Sequence, residues 1–194
     1  MRRVIPSVPL LVAMFLCVSA PLALPRAGQS ATAKLSVTSS TFTNGGKLPV
    51  STVFNSFGCT GGNRSPHLAW KGEPGGTAMF AVILHDPDAP TGTGWYHWVV
   101  FNIPATVHEL KEGAGAQGSP DLPAGAVLGL TDFGVSQYGG PCPPIGDRPH
   151  HYRLTVYALS SKIDGSPATT GAALRFLMRG NTLATATITG LYGR

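Results

Sequence analysis

Long apolar runs and shorter alternating stretches divide most of this chain into segments of strand length. Residues 78–85 are almost wholly apolar, which predicts a buried strand. Residues 95–103 and 152–159 are rich in aromatic and β-branched side chains, and residues 183–192 alternate between polar and apolar positions. Four weaker strand signals cover residues 34–39, 48–54, 68–70 and 126–130.

One helix is predicted late in the chain, over residues 169–179. Leu174, Phe176 and Leu177 supply apolar positions, and Gly180 is placed to end the helix. Residues 106–130 are mostly a loop rich in Gly, Pro and Ala. Strands joined by irregular loops, with a single late helix, predict a mainly β protein, a β-sandwich with small helical decoration.

The composition agrees with that fold class and removes one functional class. The chain has 194 residues, of which only 12% are charged, with 25 Gly and 17 Pro. This predicts one compact, loop-rich domain. The net charge of +5 comes from scattered Lys and Arg without a basic run interleaved with aromatics, so nucleic-acid binding is not expected.

The N-terminal segment differs in character from the rest. A basic start, Met1-Arg-Arg3, precedes an almost wholly apolar stretch over residues 8–24. This predicts an export signal in residues 1–33, with Ala31-Thr-Ala33 as a candidate cleavage site, ahead of a domain over residues 34–194. An uncleaved membrane anchor is the alternative, and the protein would then contact a membrane only through this segment.

Two cysteines remain outside that segment, Cys59 and Cys142. An even number of cysteines in an exported protein predicts a disulfide. The bridge would tie the loop at residues 58–62 to the Pro143-Pro144 loop. Two unpaired buried thiols are the alternative.

Polar side chains collect where apolar strands begin or end, next to prolines. Asp86 and Asp88 follow one strand, and a short connection leads to the strand that carries His97. If the two strands pair as a hairpin, these three residues lie at the same end of a sheet. Strict alternation would then place Trp95, His97, Val99 and Phe101 on one face.

A third cluster begins the strand at residues 152–159, where His150 and Tyr152 share a face with the apolar positions that follow. Bringing His150 to the end of the sheet that holds Asp86 requires a non-local pairing that the sequence does not prove. Each residue alone also fits ordinary turn or surface chemistry. The joint occurrence of three such clusters predicts a single pocket.

These motifs resemble a known family. The segments Asp86-Pro-Asp-Ala-Pro90, Trp95-Tyr-His-Trp98, Gly140-Pro-Cys-Pro-Pro144 and His150-His-Tyr152 are similar to those of the phosphatidylethanolamine-binding protein family. The closer likeness is to its bacterial branch, often called Raf-kinase-inhibitor-like. Supporting matches are Gly61-Gly-Asn-Arg-Ser-Pro66, Asp132-Phe-Gly134 and residues 186–192, so that the resemblance covers roughly residues 35–194.

The resemblance implies an antiparallel β-sandwich with a few small peripheral helices and a small anion pocket at one end of a sheet. It implies a cis peptide bond at Ala89–Pro90, and it implies no cofactor. Carried over by position, the ligand-binding residues would be Asp86, Asp88, Trp95, His97, Pro144, His150 and Tyr152.

The leading hypothesis is a binding or inhibitor protein rather than an enzyme. Two imidazoles and a phenol would donate hydrogen bonds to phosphate or a phospholipid headgroup, with the aspartates orienting the imidazoles. Histidines that titrate near their usual pKa would then make binding tighter in mild acid. A third hypothesis is an inhibitor or interaction protein that acts on a protein target outside the cytoplasm, and nothing in the sequence names that target.

The rival hypothesis is a metal-dependent enzyme. Asp86, His97 and His150 would form a two-histidine, one-carboxylate set suited to zinc or non-haem iron. The family resemblance argues against this, since its members do not generally need a metal.

Overall fold

A computed structural model describes Met1 and residues 34–194 of the chain. The predicted export signal or anchor falls on residues outside the described part. Within residues 34–194, no helix has both the length and the apolar character needed to cross a membrane.

Eight strands, one α-helix and one short 3-10 helix make up the described residues. They are β1 (Ser36–Thr38), the 3-10 helix (Val50–Thr52), β2 (Leu68–Lys71), β3 (Met79–Asp86), β4 (Trp95–Pro104), β5 (Glu109–Leu110), β6 (Val127–Leu128), β7 (His150–Leu159), α1 (Gly171–Leu177) and β8 (Thr182–Tyr192). A three-stranded sheet has the order β1-β2-β5, and a five-stranded sheet has the order β6-β4-β3-β7-β8, with every neighbouring pair antiparallel. The predicted antiparallel, mainly β architecture is confirmed.

The main core lies between the two sheets. Trp70 and Leu110 of the small sheet belong to the same buried cluster as Phe80, Trp98 and Leu154 of the large one. A second cluster covers the opposite face of the large sheet, where Ile83 and Val99 pack with Leu174 of α1. The central strands β3 and β4 are therefore buried on both faces, which explains their nearly continuous apolar sequences.

The helix and most strands lie where the sequence predicted them. α1 begins after Thr170, whose side chain accepts a hydrogen bond from the Ala173 N–H at 3.2 Å, and the chain beyond it turns at Gly180 with φ +85°. The strand predicted over residues 48–54 is wrong. Pro49 instead starts the 3-10 turn, in which its carbonyl accepts from the hydroxyl of Thr52 at 2.8 Å. β5 was missed because two residues are too few to show a period.

A β-bulge changes the predicted faces of β4. Leu84 pairs with Trp98 and His85 pairs with Tyr96, so that His97 is an extra residue in β4. The bulge breaks the two-residue alternation. Val99 therefore packs on the α1 side, away from His97, as does Phe101, and the prediction that both share the face of His97 is wrong.

Candidate functional site

A cavity of about 200 Å³ opens at the end of the large sheet where β3 stops and β4 and β7 begin. Six of the seven predicted ligand-binding residues line it: Asp86, Trp95, His97, Pro144, His150 and Tyr152. Seven further lining residues come from the surrounding loops and turns: Phe57, Ala89, Pro90, Thr91, Phe133, Cys142 and Pro143.

Strand order explains why three distant segments meet here. β3 lies between β4 and β7, with Asp86 opposite Trp95 on one side and His85 opposite Arg153 on the other. The end of β3 therefore lies beside the first residues of both neighbours. The non-local pairing that the sequence left open is the β3–β7 pairing.

Asp86 and His150 form the most buried polar pair of the cavity. His150 Nδ1 lies 2.7 Å from Asp86 Oδ2, and both side chains are 3% exposed. Asp86 Oδ1 accepts the N–H of Asp88 at 2.9 Å, and His150 Nε2 lies 3.3 Å from the carboxylate of Asp147. Both nitrogens of His150 therefore face protein carboxylates.

Asp88 does not line the cavity, in contrast to its predicted place in the ligand-binding set. Its carboxylate accepts the backbone N–H of His151 at 2.8 Å and lies 2.7 Å from His151 Nδ1 and 3.4 Å from a guanidinium nitrogen of Arg148. Burial acts to raise the pKa of Asp88, but the hydrogen bonds and charges of His151 and Arg148 outweigh it and lower the pKa. Asp88 thus fastens the β3–β4 turn to β7.

The turn that carries Asp88 has a trans Ala89–Pro90 bond, as do all X–Pro bonds in the described residues, so the prediction of a cis bond is wrong. The hydrogen bond between Asp86 and the Asp88 N–H shapes the start of the turn, and Thr91 donates to the Gly94 carbonyl at 2.6 Å. Gly94 has φ +75°, and a Cβ there would collide with the Asp86 carbonyl. These contacts give the turn its shape with the intrinsically favoured trans isomer.

His97 is held by backbone carbonyls rather than by a carboxylate. Its Nδ1 donates to the carbonyls of Gly139 at 2.9 Å and Gly140 at 3.2 Å, and its Nε2 has no hydrogen bond to any described residue. Burial lowers the pKa of His97 to about 4, although these carbonyls and Asp86 act to raise it. Near neutral pH this favours a neutral ring with a lone pair on Nε2, which accepts a hydrogen bond rather than donating one.

Two lining residues carry hydrogen-bond donors that the described protein leaves unused. The hydroxyl of Tyr152 and the indole Nε1–H of Trp95 are both buried without a partner among residues 34–194. Burial and the nearby charge of Asp86 raise the pKa of Tyr152, which keeps it a phenol. Unpaired buried donors are costly, and they commonly mark a place where a ligand or water binds.

Aromatic side chains form the apolar wall. Phe133 lies against Trp95 and His97, with ring centroids 5.4 Å and 5.3 Å apart. It is positioned through Asp132, whose carboxylate accepts the Tyr96 N–H at 2.7 Å. The motif Asp132-Phe-Gly134 supported the family resemblance, yet nothing in its sequence pattern indicated a place in the cavity wall.

A disulfide and an arginine hold the rim together. Cys59 and Cys142 are bonded, with Cα atoms 6.0 Å apart. The guanidinium of Arg194 donates to the carbonyls of Pro143 at 2.6 Å and Gly58 at 3.0 Å, joining the same two loops. Phe57, between these anchors, is 65% exposed at the mouth of the cavity.

The alternative metal site is not assembled. In the described residues, no group of three or more His, Cys, Asp or Glu side chains is arranged to hold a metal ion. The Asp86–His150 contact is a direct hydrogen bond, and His97 Nδ1 is taken by carbonyls.

Comparison with known proteins identifies the family. A family model described as phosphatidylethanolamine-binding protein matches residues 38–193. The chain belongs to the phosphatidylethanolamine-binding protein family. It is 50% identical over 161 residues to the UPF0098 protein YbcL of Escherichia coli, covering 82% of this chain and 88% of that protein.

Solved structures and a further relative agree with this family assignment. The crystal structure of E. coli YbcL, described as a new member of the mammalian PEBP family, matches with a TM-score of 0.81 over 84% of this chain and 99% of that one. The PEBP homologue CT736 of Chlamydia trachomatis has a TM-score of 0.71 at 31% identity, over 84% and 99% of the two chains. LppC of Mycobacterium tuberculosis, whose name describes a lipoprotein, is 36% identical over 137 residues, or 71% of this chain and 61% of that protein.

Proposed function

We propose that the protein is an exported binding protein that holds a small oxyanion, phosphate or a phospho-headgroup, in the cavity at the end of the large sheet. The observation that carries this proposal is the hydroxyl of Tyr152, a residue of the cavity lining, which lacks a hydrogen-bond partner in the described chain. It belongs to a cavity that also offers the indole N–H of Trp95. Oxyanions are hydrogen-bond acceptors, and hydrogen-bond donors in the cavity lining suit them.

The size of the cavity limits the ligand. A volume of about 200 Å³ accommodates a phosphate with a short substituent. It lies below the range of about 300–1,000 Å³ that is usual for sites of drug-sized molecules. The acyl chains of a lipid would therefore remain outside, and only a headgroup would enter.

Export is supported by two observations. Cys59 and Cys142 form a disulfide, and such bonds persist mainly in oxidising compartments. The relative LppC is named as a lipoprotein, which is a cell-envelope protein. The apolar composition of residues 8–24 is typical of an export signal or anchor.

A binding role is favoured over catalysis because the carboxylate and both imidazoles of the cavity are restrained by the protein. Asp86 and His150 hold each other, and His97 is fixed as a neutral ring. An inhibitor acting on another protein would use the rim around Phe57, which is exposed at the mouth.

Histidine-resolved NMR tests the proposal. Titration with phosphate or phosphoethanolamine should shift the imidazole signals of His97 and His150 in a saturable manner. His108, which lies outside the cavity lining and contacts Glu73, should not move and serves as the internal control. Unchanged His97 and His150 signals at millimolar ligand would remove the oxyanion-binding function.

A further inference from the structure

The polar groups of the cavity include acceptors as well as donors. His97 Nδ1 donates to two carbonyls, at 2.9 Å and 3.2 Å, which fixes the tautomer of the ring. Nε2 of the same ring is then a lone-pair acceptor without a partner in the described chain. The pKa of about 4 for His97 keeps the ring in this form near neutral pH.

The charged groups near His97 Nε2 also favour a ligand that donates a hydrogen bond. The carboxylate of Asp86 lines the cavity, and the carboxylate of Asp132, which accepts the Tyr96 N–H, also acts to raise the pKa of His97. His150 offers no free donor, because its two nitrogens already face Asp86 and Asp147. The donors that remain are the hydroxyl of Tyr152 and the indole N–H of Trp95.

An oxyanion without a proton cannot satisfy this set. Its oxygens can accept from Tyr152 and Trp95, but they leave His97 Nε2 unpaired and meet the carboxylate of Asp86. A site that hydrogen-bonds a ligand hydroxyl disfavours analogues that lack it, because the acceptor of the site then loses that partner.

We propose that the cavity selects a phosphoryl group that carries its own P–OH proton and donates that proton to His97 Nε2. This inference rests on the proposed function and narrows it. Inorganic phosphate carries a P–OH throughout the neutral range. A phosphomonoester carries one only below its second pKa of about 6. Sulfate and phosphodiesters carry none, so an intact phospholipid headgroup is a poor ligand.

Isothermal titration calorimetry with four anions tests the inference. Inorganic phosphate, phosphoethanolamine, sulfate and glycerophosphoethanolamine are titrated into the protein at constant ionic strength, at about pH 5.5 and about pH 7.5. We expect phosphate to bind at least tenfold more tightly than sulfate and the diester at both pH values. Phosphoethanolamine should approach phosphate at the lower pH and weaken by about tenfold or more at the higher pH, where it loses its P–OH.

The outcomes separate the inference from the proposed function. Sulfate or the diester binding as tightly as phosphate would overturn the inference and leave oxyanion binding intact. Failure of all four anions to bind would overturn both.

The variant His97→Asn isolates the acceptor. An asparagine amide can still donate to the carbonyls of Gly139 and Gly140, but it places no acceptor where Nε2 lies. The preference for phosphate over sulfate should fall towards unity in this variant, with its fold checked by circular dichroism. An unchanged preference in a folded variant would contradict the role of His97. If the variant does not fold, the calorimetric comparison of the four anions with the unaltered protein still tests the inference.

Discussion

Two carboxylate–histidine pairs lie at the same end of the large sheet, with the same N–O distance but very different burial. Asp86 pairs with His150 and Asp88 pairs with His151, each with an N–O distance of 2.7 Å. The side chains of Asp86 and His150 are each 3% exposed, whereas those of Asp88 and His151 are 16% and 50% exposed.

The difference in burial assigns different tasks to the same chemistry. The inner pair lines the cavity, where a lost partner leaves a polar group without water. The outer pair fastens a turn at the surface, where water replaces a lost partner. Of these four residues, Asp86 and His150 therefore belong to the cavity, whereas Asp88 and His151 stabilise the turn beside it.

The largest effect is expected from breaking the inner pair. His150→Ala leaves the buried carboxyl of Asp86 without its partner, and we expect the free energy of unfolding to fall by about 3–5 kcal/mol. Urea unfolding measures this loss. A loss no larger than that of His151→Ala would contradict the distinction between the pairs.

The next largest effect comes from His97, which is buried without a carboxylate partner. In the unfolded chain an imidazole takes up a proton as the pH falls through about 6.5, whereas the folded ring stays neutral until about 4. The unfolded state therefore binds more protons in this window, and stability should fall by up to about 3 kcal/mol between these pH values.

Urea unfolding at several pH values tests this window. His97→Asn should flatten the slope, leaving a smaller residual slope from His85, whose pKa burial also lowers. His151→Ala should keep the full slope. An identical slope in His97→Asn would show that another group is responsible.

A smaller effect, with opposite signs on stability and binding, is expected at Tyr152. Tyr152→Phe removes a buried hydroxyl that lacks a partner in the described residues, so stability should stay equal or rise. Phosphate affinity should fall about tenfold, as expected for one lost hydrogen bond to a charged ligand. Calorimetry and urea unfolding on the same sample measure both, and an undiminished affinity would remove Tyr152 from the binding groups.

The smallest effect is expected in the outer pair. His151→Ala should cost at most about 1 kcal/mol, since Asp88 keeps the backbone N–H of residue 151 and the nearby Arg148. Phosphate affinity should not change. A clear loss of affinity would mean that the outer pair belongs to the site after all.

The same contrast shows what the sequence could predict. Residues on strands, such as Trp95, His150 and Tyr152, obey a two-residue period, and the structure places them in the cavity lining. Asp88 lies two residues beyond Asp86, but β3 ends at Asp86. The alternation stops with the strand, and the turn directs Asp88 to His151 instead.

Features set by irregular backbone were not predictable from the pattern. The bulge at His97 adds one residue to β4 and reverses the faces beyond it, and no residue type announces it. Phe57 and Phe133 reach the cavity from loops, where no period exists, and contacts distant in sequence place them. The neutral state of His97 follows from its burial, and its tautomer follows from the carbonyls of Gly139 and Gly140, which only the folded chain brings next to the ring.

A crystal structure of the protein with phosphate tests the central claim most directly. The account predicts a phosphate in the cavity, with one oxygen accepting from the Tyr152 hydroxyl and another within hydrogen-bond distance of His97 Nε2. A cavity filled only by water, with phosphate bound instead at the surface beside Arg148, would contradict it.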